Sequence, residues 1–383
     1  MACFTRLSCR TPRQKNQSID TMPFHSSVSK AVRSLTPRQR NVLRMVITVF
    51  VETAGPVGSK ALKDRFDLGW SSATLRNTMS ELENLGFLMH PHTSAGRVPT
   101  EMGYQAFVAE LMQTAVLREE EQVLIRRELA SLQADTDALI RESSRLLAQL
   151  AQLLGVVLSP RLNNGILQRL DIVPVSSGKL LFVISIEGGY IRTLVLQAGS
   201  DLETAQLGRL VTLLNERLAG LTLDEIRRTC IPRIKDLVQD DMGIVQLILN
   251  RSQDLFSDEP AQRTVRFDGT TFMLNQPEFS DTERVRHLMR LLDHEPHMIR
   301  LMEEEMDPLA GRARVRIGVH PELDGGERSE SAISVVTAPY LVNNLRGTIG
   351  IIGPTRMNYA RVVALVEGMA TLMSLSDSRI HLA

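Results

Sequence analysis

The sequence predicts a multidomain α+β protein. It has a small helical unit closed by a short β-ribbon, then a long connector helix, then a helix-and-sheet body interrupted by a largely helical insertion. Three observations carry this expectation. At 383 residues the chain has room for two or three domains, each able to bury its own core. Apolar residues follow a helical period over most of the chain but alternate over 165–197 and again between 315 and 352, so strands come from two distant parts. The charge is zero overall but unevenly placed: residues 1–100 hold 14 Lys+Arg against 6 Asp+Glu, and the remainder holds 30 against 38. A basic first quarter on an acidic body is the layout of a nucleic-acid-binding head with a regulatory or assembly module behind it.

Residues 1–30 lack periodicity and read as a disordered basic tail, with Arg6, Arg10, Arg13 and Lys15 solvated or resting on phosphate. No apolar stretch follows these charges as a secretory signal requires, and Met22 offers a second start. The first ordered helix has both ends marked. Thr36, Pro37 and Gln39 form an N-cap, a proline at the first helical position and a capping-box partner; Gly55-Pro56 stops it. Leu43, Val46, Ile47, Phe50 and Val51 make its apolar stripe. Ser59 is expected to cap a short second helix, Lys60 to Phe66, with Ala61, Leu62 and Phe66 facing the core, and Trp70 wedges the joint that follows.

A third helix opens at Ser71, whose hydroxyl suits an N-cap, and stops at Gly86, the residue best able to take a left-handed conformation. Leu75, Met79, Leu82 and Leu85 mark its buried face. Ser72, Ala73, Arg76, Asn77 and Ser80 lie opposite, small and polar enough to enter a major groove. Arg76 is suited to a guanine edge and Asn77 to an adenine edge. Phe87 to His90 and Arg97 to Pro99 then read as two short strands around a tip of Pro91 to Gly96. Taken together this is a winged helix-turn-helix, and its candidate DNA contacts are Lys60, Ser71, Ser72, Thr74, Arg76, Asn77, Ser80, His90, His92, Thr93 and Arg97. His90 and His92 alternate in register, but a metal site needs three or four converging ligands and the wing supplies no carboxylate or cysteine.

The segments PVGSKAL, SSATLRNTMSELENLGFL and HPHTSAGRVPTEMGYQAFV closely resemble the heat-inducible transcription repressor family HrcA. GTIGIIGPTRMNYARVVALVEGMATLMS resembles that family's C-terminal signature, so the likeness spans roughly 35–383 and is weaker between 110 and 310. The resemblance implies a GAF-like body interrupted by a dimerising insert. It also implies a homodimer bound to the CIRCE inverted repeat upstream of chaperone operons such as groESL and dnaK, with heat inactivation and recovery aided by the GroEL chaperonin.

Beyond the wing, Thr100 caps a docking helix carrying Tyr104, Phe107, Val108 and Leu111, and the leucine-rich stretch 116–154 reads as a connector helix. Strands are expected over Ile166 to Val175, Leu180 to Ile186 and Ile191 to Leu196, followed by a helix over 201–219. Later strands are expected at Val315 to Val319, Ile333 to Val336 and Gly347 to Ile352, before a final helix from Asn358 to Ser374. Within the insertion, Leu223 to Cys230, Lys235 to Leu255 and Asp281 to Met306 read as helices, and Thr264 to Phe267 with Thr271 to Leu274 reads as a hairpin across Asp268-Gly269. The expected division is therefore 1–30 tail, 31–105 DNA-binding head, 106–158 connector, 159–220 with 307–383 GAF-like domain, and 221–306 dimerising insert.

No catalytic constellation stands out. The glycines at 347, 350 and 353 fit neither a dinucleotide fingerprint nor a P-loop, and suit a tightly packed strand. Arg356 is expected to tie the last helix to a carboxylate rather than hold an anion. His287, His294, His297 and His320 read as solvated, with Pro296 breaking the face between His294 and His297. Cys3, Cys9 and Cys230 lack the spacing of a zinc site or disulfide framework, and a reducing cytoplasmic setting fits them. No apolar run approaches the roughly 18 residues of a membrane span. No cofactor is expected, and the alternative function is a small-molecule-responsive regulator with the GAF-like domain as its sensor.

Overall fold

The computed structural model describes residues 33–66, 69–91, 96–113, 115–132, 135–176, 178–197, 204–240, 244–256, 263–303, 312–320 and 333–377. The tail expected over 1–30 lies outside them. The chain opens with three helices, α1 (Pro37–Thr53), α2 (Ser59–Arg65) and α3 (Ser72–Asn84), and a two-stranded ribbon, β1 (Leu88–Met89) with β2 (Val98–Pro99). The capping box of α1 is complete: the Gln39 N–H donates to the Thr36 hydroxyl, and the Thr36 N–H to the Gln39 side chain. Its buried face is Val42, Leu43, Val46 and Ile47, and Ala54, in the left-handed region at φ 54°, terminates it one residue before Gly55. Ser59 departs from expectation. Gly58 precedes α2 without a side-chain cap, and the Ser59 hydroxyl instead lies 2.9 Å from that of Ser72, tying the starts of α2 and α3 together. Of the apolar residues expected inside from α2, Leu62 is buried, Phe66 is partly buried, and Ala61 is exposed.

After the ribbon come α4 (Glu101–Ala106), capped by Thr100 and continued by a widened turn over Phe107–Leu111, then α5 (Glu119–Ala130) and α6 (Thr136–Ala151). The single connector helix is therefore two helices. Asp135 caps the second, its carboxylate accepting from the Ala138 N–H at 3.0 Å. The leucine pattern runs across that break because both helices bury leucines, so periodicity alone did not reveal it.

The body is built on a five-stranded antiparallel sheet in the order β7-β3-β10-β9-β8: β3 (Leu154–Leu158), β7 (Val265–Asp268), β8 (Arg314–Val319), β9 (Ile333–Val342) and β10 (Leu345–Pro354). Its glycines mark the helices above and below. A Cβ on Gly155 would strike the Ser144 carbonyl of α6 at 2.5 Å. A Cβ on Gly350 would lie 2.9 Å from Met302 of α12 (Glu295–Glu303). Gly350 pairs with Val156, the neighbour of Gly155, so these two approaches lie on opposite faces. The sheet is thus layered between α6 with the last helix, α13 (Tyr359–Asp377), and α12. Gly347 meets the Tyr340 ring, as expected of a strand whose glycines permit close packing.

The three strands β4 (Leu167–Ser176), β5 (Lys179–Ile186) and β6 (Tyr190–Gln197) do not join that sheet. They pair with one another, and their inner residues, including Leu170, Ile172, Phe182 and Ile184, form a second core with α7 (Thr204–Leu218), α8 (Leu223–Ile234) and α9 (Ile244–Leu255). The expected boundary at 220 is corrected. The strands and the helices after them form one unit between β3 and β7, whereas α10 (Thr270–Leu274), α11 (Thr282–Asp293) and α12 contribute side chains to the first core. Strand period identifies a half-buried face but not its partner, which is why the boundary was misplaced. Thr271 to Leu274 is likewise helical rather than a return strand. Gly269 at φ 92° turns the chain, and a Cβ there would strike the Leu153 carbonyl.

The outer face of this small sheet carries an exposed apolar row beside the Arg169–Asp171 ion pair. Val173, Leu181 and Val195 sit in one register row, and Val173, Val175, Ile191 and Val195 are 46–68% exposed. Cys230 is buried in the same unit, and desolvation pushes its thiol up to about 11. The His294 and His297 rings stack at 3.9 Å across Pro296, so they are not the separate solvated side chains expected. Among the described residues no helix is long and apolar enough to cross a membrane.

Candidate nucleic-acid interface

The site is the exposed side of α3 with the ribbon beside it. Ser71 accepts the Thr74 N–H at 3.1 Å, and its hydroxyl also lies 2.9 Å from that of Thr74. This starts the helix in a fixed direction. At the other end Gly86, at φ 82°, lets the Phe87 N–H reach back to the Leu82 carbonyl at 2.9 Å. Leu75, Met79 and Leu82 are buried as expected. Leu85 is not: it is the capping residue, just past the helix end at Asn84, and is 47% exposed. Fully buried Thr78 fills that face instead, its hydroxyl donating to the Thr74 carbonyl.

With that face committed to the core, Arg76 and Asn77 are exposed and Ser72 and Ser80 half-buried. Lys60 and His90 are exposed on the flanking elements. Ser72, Arg76, Ser80, Lys60, His90 and Arg97 share a concave basin of about 470 Å³ between the start of α2, the outer face of α3 and the ribbon. The start of α2, the outer face of α3 and the ribbon thus bring basic and hydroxyl groups to one surface. His92 and Thr93 lie outside the described residues.

Arg97 sits differently from a free phosphate ligand. Its backbone bridges Val57 through two 2.9 Å hydrogen bonds, its Nε donates to Glu83 at 2.8 Å, and its side chain is 20% exposed. The pair joins the ribbon to the last turn of α3. A second brace holds the same helix from behind, where Gln39 Nε2 donates to Glu81 at 2.9 Å. The sequence reading missed Glu83, Glu81 and Gln39, since each acts on a partner 14 or 42 residues away and only the folded ribbon and helix pair bring them together. Glu83→Gln should therefore free the Arg97 guanidinium. Nonspecific DNA affinity is expected to rise, with the slope of log K against log salt steepening by about 0.9 for one added phosphate contact. An unchanged slope in a fluorescence-anisotropy salt titration would show that Glu83 does not restrain Arg97.

The family model for the HrcA protein C-terminal domain matches residues 137–363, more than half of the chain. The chain belongs to the HrcA family. It is 36% identical to the heat-inducible transcription repressor HrcA of Chlorobium phaeobacteroides (strain BS1), over 90% of this chain and 99% of that protein. It is 37% identical to the HrcA of Chlorobium chlorochromatii (strain CaD3), over 89% and 97%. A crystal structure described as that of a hypothetical protein at 2.2 Å resolution shares the fold, with a TM-score of 0.52 and 24% identity over 90% of this chain and 99% of the other. The HrcA domain match begins at Asp137, so the basin around α3 is covered by the full-length relatives and not by the domain model.

Proposed function

We propose that this heat-inducible transcription repressor binds double-stranded DNA through a winged helix-turn-helix, with α3 as recognition helix and β1–β2 as wing. The observation that carries the reading is the exposure of Arg76 and Asn77 on a helix whose other face is locked into the core. Arg76 reads a base and Asn77 and Ser80 extend the contact; Lys60, Ser72 and His90 meet phosphate, a role this reading also gives to His92 and Thr93. Ser71 and Thr74 act by fixing the start of the helix, and Arg97 by holding the wing.

One recognition helix reads too few base pairs for genomic specificity, so two heads related by a two-fold axis read an inverted repeat. The operator in this reading is CIRCE, upstream of groESL and dnaK-type operons. The exposed apolar side chains on β4–β6, Val173, Val175, Ile191 and Val195, support a homodimer, since exposed apolar surface on a sheet is the kind a second copy covers. The five-stranded sheet with its flanking helices is the GAF-like body, and the unit between β3 and β7 is the dimerising insert. Heat inactivation, recovery with the GroEL chaperonin and a cytoplasmic, nucleoid-bound location complete the proposal.

Footprinting the purified protein on chaperone promoters from its own genome, at two temperatures, tests it. Protection of an inverted repeat that fades on heating is expected, and absence of protection at every chaperone promoter would overturn the reading. In the same assay Arg76→Ala should cost about 1–3 kcal/mol and relax preference at one base position. Equal losses on operator and random DNA would remove Arg76 from base reading.

A further inference from the structure

A cavity of about 370 Å³ lies between the two cores, a size within the range of small-molecule sites. One wall is the edge strand β6 of the small sheet. The other is the segment after β3, with Arg263 and Thr264 leading into β7. We propose that this cavity binds a small organic phosphate that bridges the body and the inserted unit.

Arg263 carries the argument. Its side chain is 4% exposed, and a buried guanidinium is costly unless its donors are matched. One Nη pairs with Glu303 and the other donates to the Ser159 carbonyl at 2.7 Å, while Nε has no hydrogen-bond partner. Glu303 is itself shared between Arg263 and Arg161. From the opposite wall Arg192 lines the same cavity, held by a hydrogen bond to the Asp254 carbonyl. No carboxylate is among the described residues that line it. The hydroxyls of Ser159, Thr193 and Thr264 add neutral donors, and Leu162 and Leu194 offer apolar contact to an organic group. Two guanidiniums and three hydroxyl residues lining one cavity suit a tetrahedral oxyanion better than a neutral ligand. Because the arginines belong to different units, a bound phosphate ester favours the arrangement in which both reach it.

Calorimetry on the full chain, at ionic strength fixed with sodium chloride, tests the site. The probes are inorganic phosphate, glycerol phosphate and AMP, with glycerol and adenosine as uncharged counterparts. Saturable binding of at least one ester, tighter than inorganic phosphate and absent for its uncharged counterpart, is expected. Arg192→Gln should weaken it by about tenfold or more. Thr193→Val, which leaves both arginines in place, guards against a misfolded variant and should weaken it by a smaller factor. The proposal is overturned if no ester binds, if inorganic phosphate binds as well as the esters, or if both variants bind like the parent.

Discussion

Arg356→Ala should release the N-terminal helical head from the body. Arg356 follows β10, yet its guanidinium reaches three places at once. Nε donates to Glu278 at 2.6 Å, Nη2 to Glu278 and Gln276 at 3.2 Å each, and Nη1 to the Val51 carbonyl at 2.8 Å. Val51 lies in the last turn of α1, where carbonyls lack helical partners and a cation is favoured. The sequence expectation of a structural arginine holds, but the tie is to the head and to the turn before α11 rather than to α13. Arg356 is 13% exposed and Glu278 27%. Breaking a buried pair of this kind costs about 3–5 kcal/mol, and the partial exposure of Glu278 sets the expectation near the lower end. Hydrogen exchange over 50–54 should accelerate well before the body melts. Arg356→Lys should restore only part of the protection, because an ammonium lacks the planar fork. If exchange in this stretch is unaffected in Arg356→Ala, the contact does not hold the head.

Glu121→Gln should have the second large effect, and one that depends on pH. Glu121, in α5, is 6% exposed and takes hydrogen bonds from both Arg361 of α13 and Arg118. The Arg361 hydrogen bond, helped by Arg118 and opposed by burial, draws its carboxyl down to about 2 from 4.5. A folded-state pKa below the unfolded one gives stability that is present above 4.5 and is lost as pH falls toward 2. The glutamine variant cannot share it. Urea midpoints should therefore differ most above pH 4.5, by the equivalent of about 3 kcal/mol, and converge in acid. A difference that stays constant down to acid pH would show that ionisation of Glu121 is not what the variant loses.

Local signals in the sequence were enough for the ends of α1 and α3. Thr36-Pro37 with Gln39, and Ser71 with Gly86, mark helix ends through hydrogen bonds spanning three to five residues, and those ends appear where expected. The basin of candidate contacts follows from them, because fixing one face of α3 in the core fixes what remains outside. What sequence did not reveal depends on distant pairing. Strands β4–β6 have the same alternation whichever sheet they join, and Arg356 meets a carbonyl 305 positions away. Arg97 looked like an open phosphate ligand because Glu83 becomes its neighbour only after the ribbon folds back. Leu85 falls on the helical stripe by spacing, yet at the capping position it is left exposed.

The inserted unit leaves and re-enters the body at neighbouring points. The Ser159 N–H donates to the Thr264 carbonyl at 2.9 Å and the Thr264 N–H returns to the Ser159 hydroxyl at 3.0 Å, just beyond the paired ends of β3 and β7. The five-stranded sheet is consequently closed whether or not anything hangs from that point. A lineage could gain, lose or exchange the whole appendage through a single splice, with the body's strand order intact.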